Sequence, residues 1–300
     1  MDETEFIPKL GWLRDYPDSR DYTVELVKTS KPSLTQTLTR AGVLPRETVP
    51  ILKSPSAVDL RPWFSPIEDQ GSLGSCTAQA AAALAEYFER RAYGNHVEAS
   101  RLFIYKTTRN LMRVSGDTGA YIRTTMQALR MFGAPPENYW PYRVSAFDQE
   151  PSAFHYAMAQ SYQATSYYRL DSPGTSGEQL LDRIKNNLVN NLPSMFGLTL
   201  FNSVSQARLT GGSIPFPRNN DRIVGGHALV AVGFDDTKKI QNTAAGGIET
   251  TGAILVRNSW GTSWGSSGYG WLPYLYVTSG LTADWWSLIS KEWLDTNQFS

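Results

Sequence analysis

The chain has 300 residues, of which 41% are apolar and 19% charged, and its 28 basic side chains equal its 28 acidic ones. This composition supplies a substantial hydrophobic core and excludes a globally disordered chain, while the length allows two domains or one large unit of two lobes. The formal net charge of zero gives no electrostatic reason to expect nucleic acid or an anionic membrane as the main partner.

The chain contains one cysteine, which excludes an intramolecular disulfide and fits a reducing compartment. Its acidic start, "MDETEFIPKLGW", lacks the apolar stretch of a secretory signal, and no window approaches the roughly 18 consecutive apolar residues of a transmembrane helix. We therefore expect a soluble protein that is cytoplasmic by default, with export by a non-classical route as the alternative.

Residues 1–56 are polar, rich in Thr, Ser and Pro, and only weakly periodic. Such a composition predicts an N-terminal arm or pro-segment rather than a folded domain, with one short strand at "RDYTVEL" (20–26). The remaining residues, 57–300, are predicted to form one domain, with a helical lobe at about 66–160 and a β lobe at about 161–300.

Helices dominate the first part of this domain and strands the second. Four segments predict helices: 75–91, 97–112, 119–132 and 177–192. Gly, Asn or Pro follows the first, third and fourth of them, while the apolar positions of the second are only loosely periodic. Five short aliphatic or aromatic runs bounded by turn residues predict strands: 194–201, 225–236, 252–260, 268–277 and 284–293. The segment "NTAAGGIETT" (242–251) predicts a hairpin insertion. This order favours an α+β fold, in which a helical lobe packs against a sheet or barrel lobe.

Cys76 stands at the predicted start of the first helix, in "DQGSLGSCTAQAAAAL" (69–84). Unpaired backbone N–H groups and the positive end of the helix dipole would lower the pKa of its thiol, which favours the nucleophilic thiolate. Gly74 and Ser75 are small enough to let other groups approach the sulfur. Taken alone, Cys76 is better explained as a buried free cysteine that acts as a small hydrophobe.

Three further residues could act with such a thiolate. His227 heads an apolar strand in "VGGHALVAVGF", from which its ring could reach a cleft. Asn258 ends another apolar strand, in "ILVRNSWGTSWGSSGYG", where its amide could hold a histidine ring and Trp260 could shield that hydrogen bond from water. Gln70 could place its amide N–H beside the backbone N–H of Cys76, and an oxyanion hole needs two such donors. An edge histidine and a structural turn with core tryptophans are the alternatives.

Together these stretches resemble the papain-like cysteine peptidases, in particular their bacterial branch without disulfides. The family motif that carries the oxyanion-hole glutamine and the nucleophile appears here as "QGSLGSCT", and "NSWGTSWGSSGY" (258–269) matches every fixed position of the family's asparagine motif. "AVDLRPW" (57–63) is similar to the start of the mature enzymes. Two positions depart from the pattern: Leu73 replaces a disulfide cysteine, and Thr77 replaces an aromatic residue that helps to wall the cleft.

The resemblance implies a cysteine peptidase with the papain-like two-lobe fold, in which the active-site cleft lies between the helical lobe and an antiparallel β-barrel-like lobe. It implies peptide or protein substrates and no metal or organic cofactor. His227 would take the Cys76 proton to give a thiolate–imidazolium pair, Asn258 would orient His227, and Gln70 would help to hold the oxyanion.

The resemblance also indicates candidate substrate-binding residues. Gly119, in "SGDTGAYIRTTMQAL", would pair with the substrate backbone. The other candidates are Gly74, Ser75 and Trp260.

Enzymes of this family are usually made as precursors, so the resemblance gives residues 1–50 a possible role. We expect an arm that lies along or across the cleft as an intramolecular inhibitor. The alternative is an arm that adds a strand to the β lobe and never touches the cleft. For the whole chain, the competing functions are a cysteine-dependent amidase or acyl-transferase, and a catalytically idle peptide-binding homologue.

Overall fold

The computed structural model describes residues 8–19, 21–23, 55–162 and 166–289. Most of the predicted N-terminal arm therefore lies outside the described residues, including the greater part of the short strand expected at 20–26. The end of the strand predicted at 284–293 lies outside them as well.

The helical lobe is built on α1 (Cys76–Tyr93), which no Gly or Pro interrupts and which Gly94 ends in the left-handed conformation at φ 78°. The other described helices are shorter: α2 (Arg101–Met112), α3 (Ile122–Phe132), α4 (Ala153–Ala159), α5 (Gly177–Val189) and α6 (Tyr274–Thr278). Short 3-10 helices occupy Arg61–Trp63, Val144–Ala146, Gln160–Tyr162 and Asn202–Arg208. Helices α2 and α3 pack against each other and against α1.

Two sheets are present among the described residues. The small one pairs β1 (Trp12–Leu13) in parallel with β3 (Ala120–Tyr121). The large one is antiparallel and contains β2 (Ala57–Asp59), β4 (Ser166–Arg169), β5 (Ser194–Phe201), β6 (Ile223–Gln241), β7 (Glu249–Arg257), β8 (Tyr269–Pro273) and β9 (Thr282–Ile289). Its order is β4-β9-β5-β6-β7-β8, and β2 pairs with β6.

The large sheet is not the closed barrel that the barrel-like expectation suggests. Its edge strands β4 and β8 do not pair with each other among the described residues. Isolated bridges to other segments occur at each edge instead: Thr23 bridges Arg169 on β4, and Ser213 and Ser266 bridge Trp271 and Tyr269 on β8. These bridges cover part of each edge, so the sheet need not close on itself to protect them.

The second half of the domain contains a helix where a strand was predicted. The strand expected at 268–277 stops at Pro273, and Tyr274–Thr278 turn into α6. Proline has no N–H to donate to a strand ladder, and here it occupies the position before the helix. The hairpin predicted at 242–251 is present as the connection between β6 and β7.

Two helices begin later than predicted. Helix α2 starts at Arg101 rather than at residue 97, because Ser100 caps it by accepting a hydrogen bond from the Phe103 N–H at 3.2 Å. Helix α3 starts at Ile122, because Ala120–Tyr121 pair with β1 instead.

Helix α1 lies between the lobes and packs against β5, β6 and β9. One continuous cluster of buried apolar side chains runs from the helical lobe into the sheet. The N-terminal end of α1 lies beside the first half of β6, where Cys76 contacts Ala228. None of the described helices is both long and apolar enough to cross a membrane.

Candidate active site

Cys76, the first residue of α1, contacts β6 at the boundary between the lobes. The backbone N–H of Ala228 on β6 donates to Cys76 Sγ at 3.4 Å, and the cysteine is fully buried. The residue before the helix, Ser75, makes no side-chain cap hydrogen bond. The sulfur thus lies at a helix N-terminus that no capping side chain occupies.

His227 lies next to Ala228 on β6 and is also buried. Its Nε2 is 2.8 Å from Oδ1 of Asn258, which directly follows β7. Because an amide oxygen only accepts, Nε2 carries the proton and donates it. The indole ring of Trp260 covers this contact, with its centroid 4.6 Å from that of the imidazole.

Gln70 is held by hydrogen bonds at both ends of its amide. Its Oε1 accepts from Ser259 Oγ at 2.7 Å, so its Nε2 faces the site, where it donates to the carbonyl oxygens of Leu73 at 2.8 Å and Lys9 at 2.9 Å. Ser259 was not singled out from the sequence, although it stands inside the motif that contains Asn258. Its hydroxyl is the group that fixes which end of the Gln70 amide points at the site.

Arm residues 9–12 lie in this site. The Gly11 carbonyl accepts from the Ala120 N–H at 2.8 Å, and the next two residues form β1. A Cβ on Gly11 would overlap the backbone of Gly74, and one on Gly119 would overlap Gly11. The arm approaches this closely only because glycines stand on both sides of the contact.

The other predicted substrate-binding residues have different surroundings. Gly74 lies against the arm, and its N–H donates to Asp117 Oδ1 at 3.0 Å. Ser75 is buried, and its Oγ pairs with the Tyr142 hydroxyl at 2.6 Å instead of facing the arm. Trp260 packs on the imidazole of His227.

Burial dominates the protonation of the two central groups. It raises the pKa of the Cys76 thiol to about 11, against the opposing effect of the N–H groups of Ala228 and Gly11. It lowers the pKa of His227 to about 4, despite the hydrogen bond to Asn258. The lowered thiol pKa expected from the helix start is therefore wrong for this covered form, because desolvation of the anion outweighs one helix terminus.

The arrangement contains a potential nucleophile, a base, an amide that orients the base and a donor for a developing oxyanion. Among the described residues, no group of three or more His, Cys, Asp or Glu side chains is placed to hold a metal ion.

Comparisons with known proteins point to one family. Residues 54–278 match the model of the papain family of cysteine proteases. The chain is 32% identical over 291 residues to an uncharacterised peptidase C1-like protein of Acanthamoeba polyphaga mimivirus. The aligned region covers 95% of this chain and 88% of the viral protein.

Two solved structures have similar folds. Xylellain, a cysteine protease from Xylella fastidiosa, superposes with a TM-score of 0.71 at 30% identity, over 94% of this chain and 96% of its own. Digestive procathepsin L 3 from the larval midgut of Tenebrio molitor superposes with a TM-score of 0.60 at 16% identity, over 90% and 82% of the two chains. The second likeness concerns the fold alone.

Proposed function

Because the chain belongs to the papain family of cysteine proteases, we propose that Cys76, His227 and Asn258 together hydrolyse peptide bonds in peptide or protein substrates. We further propose that arm residues 8–13 keep the enzyme inactive while they fill the site. The first proposal rests on the hydrogen bond from His227 to Asn258 and on the contact between Cys76 and the neighbouring strand β6.

In the proposed reaction the His227 ring is the base. With Nε2–H donated to Asn258, Nδ1 is the atom left to accept the thiol proton, and it has no hydrogen-bond partner among the described atoms. The Cys76 thiolate forms a bond to the substrate carbonyl carbon, and Gln70 Nε2 with the Cys76 N–H stabilises the oxyanion. The imidazolium then protonates the leaving amine as the C–N bond breaks, and His227 activates the water that hydrolyses the thioester.

The single observation that carries the inhibitory role is the hydrogen bond of 2.9 Å from Gln70 Nε2 to the Lys9 carbonyl. The arm thereby uses a donor that the reaction needs for the oxyanion. The arm also lies on Cys76 through the Gly11 N–H, in a site where burial raises the pKa of the thiol and lowers that of His227, so that both groups are neutral. When the arm leaves, water returns to the site and the thiolate–imidazolium pair becomes accessible.

Displacing the arm in the full chain tests both parts of the proposal. Gly11→Ala adds a methyl group that would overlap Gly74, so the arm can no longer seat in the cleft. We expect an epoxysuccinyl thiol-peptidase inhibitor to form an adduct on Cys76 at least about 10-fold faster in Gly11→Ala than in the wild type, because even 1.4 kcal/mol of steric cost changes the open population tenfold. Hydrolysis of a protein substrate should rise in parallel.

Ser19→Ala, an exposed substitution elsewhere on the arm, is the matched control and should behave as the wild type. Mass spectrometry locates the adduct, and Cys76→Ser should form none. Absence of an adduct on Cys76 in every variant would contradict the enzymatic mechanism. Equal adduct rates in Gly11→Ala and the wild type would contradict only the inhibitory role of the arm.

A further inference from the structure

The hydroxyl group of Tyr142 connects the two ends of the loop that carries the oxyanion donors. It donates to the Gln70 carbonyl oxygen at 2.9 Å, and it lies 2.6 Å from Ser75 Oγ. Because Tyr142 has one hydroxyl proton and Gln70 accepts it, the Ser75 hydroxyl is the donor in the second bond. One chain of hydrogen bonds therefore runs from Ser75, the residue before Cys76, through Tyr142 to Gln70.

The main chain of Gln70 is held from both lobes. On the side of the sheet, its N–H donates to the Ser259 carbonyl oxygen at 2.9 Å. On the side of the helical lobe, its carbonyl oxygen accepts from Tyr142, which lies between α3 and α4. The Leu73 N–H also reaches this oxygen, over a longer distance of 3.3 Å. The shorter bond to the Gln70 carbonyl is thus the one that comes from outside the loop.

A buried cation fixes Tyr142 in turn. Arg101, the first residue of α2, is buried, and its guanidinium lies 5.3 Å from the centroid of the Tyr142 ring. The same guanidinium binds Glu137 at 2.8 Å, and Glu137 Oε1 accepts the Tyr142 N–H at 2.5 Å. Arg101 also pairs with Glu68, two residues before Gln70. The ring and backbone of Tyr142 and the start of the oxyanion loop are therefore attached to one cation.

The Tyr142 hydroxyl is a donor throughout the neutral pH range. Burial raises its pKa to about 12, although its hydrogen bond with Ser75 acts in the opposite direction. The proton that Gln70 accepts is therefore present whenever the enzyme works near neutral pH.

The separation of the two loop ends matters for the reaction. An oxyanion hole needs Gln70 Nε2 and the Cys76 N–H to point at the same oxygen, and these donors are six residues apart in the chain. The loop between them has no helix or strand, and it contains Gly71, with a φ of 57°, and Gly74. Glycines leave the backbone free to change conformation, so the loop alone does not fix the distance between its ends.

From these contacts we infer that Tyr142 is a positioning residue of the oxyanion hole. Its hydroxyl holds Gln70 and the residue before Cys76 at the separation that directs both donors at one oxygen. The inference rests on the proposed function, since it concerns the same reaction. Tyr142 acts through Gln70 and Ser75 and makes no contact with the reacting sulfur.

Removing the hydroxyl alone gives the first test. In the Gly11→Ala background, we expect Tyr142→Phe to lower kcat about 10-fold and to change KM less than about 2-fold, because the donors are needed when charge develops on the oxygen. Tyr139→Phe removes an exposed hydroxyl from the same segment and is the matched control. A Tyr142→Phe enzyme as active as this control would overturn the inference.

Alkylation by iodoacetamide separates positioning from support of the fold. The Cys76 thiolate forms a bond to the methylene carbon as iodide leaves, and no oxyanion develops. We therefore expect Tyr142→Phe and Tyr139→Phe to be alkylated at rates within about 2-fold of each other, even though only the first loses hydrolytic activity. If alkylation of Tyr142→Phe falls in parallel with its kcat, the hydroxyl supports the thiolate or the fold, and the positioning role is wrong.

A double-mutant cycle shows whether the hydroxyl acts through Gln70. Once Gln70→Ala has removed one donor, no pair of donors remains to be aligned, so adding Tyr142→Phe should cost less than about 3-fold in kcat. A further loss of about 10-fold, equal to that in the parent, would contradict the inference.

These measurements also separate the inference from the proposed function. If Gly11→Ala with Tyr142 intact hydrolyses no peptide and forms no adduct on Cys76, the proposed function fails. If it hydrolyses peptides and Tyr142→Phe matches the Tyr139→Phe control, the reaction stands and Tyr142 has no part in positioning the oxyanion hole.

Discussion

Ser259 acts on the site without touching the reacting atoms. Its hydroxyl donates to Gln70 Oε1, and this bond decides whether the nitrogen or the oxygen of the Gln70 amide faces the cleft. An amide with an unfixed orientation would present its oxygen to a developing oxyanion in part of the population, and this would repel the negative charge.

We therefore predict that Ser259→Ala lowers kcat about 3- to 10-fold in the Gly11→Ala background, with a smaller change in KM. Removing an oxyanion donor outright costs about 10²–10³, so Gln70→Ala should lose more than Ser259→Ala. Steady-state kinetics with one peptide substrate measure both. Ser263→Ala, on the exposed part of the same loop, is the control, and a Ser259→Ala enzyme as active as this control would contradict the positioning role.

The motifs around Cys76, His227 and Asn258 single these residues out in the sequence, and the structure brings all three to the boundary between the lobes. The protonation of the site could not be predicted in the same way. It depends on burial between segments that are distant in the chain, since Ala228, which contacts the Cys76 sulfur, is 152 positions away. The helix dipole at Cys76 is a local effect that the sequence reveals. The burial that outweighs it comes from contacts with residues that are distant in the chain.

At the scale of elements, α1 is joined to two other parts of the fold by the buried carboxyl of Glu86. Its oxygens accept from Ser65 Oγ at 2.5 Å and from the Ala99 N–H at 2.9 Å, and Arg257 lies near. Burial nevertheless raises the pKa of Glu86 to about 7 from its ordinary 4.5. The folded protein therefore binds this proton more tightly than the unfolded chain does.

A raised carboxyl pKa means that the contribution of Glu86 to the free energy of unfolding is fully present below pH 4.5 and is lost as the pH rises through 7. The rise in pKa from 4.5 to about 7 corresponds to a loss of about 3 kcal/mol in the free energy of unfolding. We predict that Glu86→Gln, whose amide does not titrate, flattens this part of the pH profile, so that the variant gains stability relative to the wild type between pH 5 and pH 8. Urea unfolding at both pH values measures the difference. The exposed Glu98→Gln should show no such gain, and a Glu86→Gln profile parallel to the wild type would contradict the assignment.

The types of most elements could be predicted from composition, but some boundaries could not. Ser100 is an N-cap because its hydroxyl happens to reach the Phe103 N–H, and Pro273 ends a strand only because a helix follows it at once. Ala120–Tyr121 read as the start of a helix, yet they pair with the arm. At Ala120–Tyr121, pairing with a strand that is distant in the chain outweighs the local preference for a helix.

At the scale of the whole molecule, the arm connects the two lobes. Arg123 on α3 of the helical lobe binds Asp15 and Asp21, and Arg169 on β4 of the sheet binds Asp21 as well. The arm is therefore held by charges as well as by the pairing of β1 with β3, and its charged contacts come from both sides of the cleft.

We predict that Arg123→Gln raises the rate of Cys76 alkylation about 3- to 10-fold, because partly buried ion pairs of this kind contribute about 1 kcal/mol. High salt should act in the same direction by screening these pairs. Arg14→Gln removes an exposed charge from the arm itself and is the control. The prediction is contradicted if the two variants react alike while their thermal unfolding stays similar to that of the wild type.

The hydrogen bond from Gln70 to Lys9 joins two parts of one continuous polypeptide. A tethered ligand has an effective local concentration on the order of millimolar, so occupancy of the cleft does not change when the protein is diluted. A single cut in the chain between arm and body would turn the same contacts into a complex of two molecules, whose occupancy falls on dilution. Before such a cut, dilution would leave the open fraction of the cleft unchanged; after it, dilution would raise that fraction.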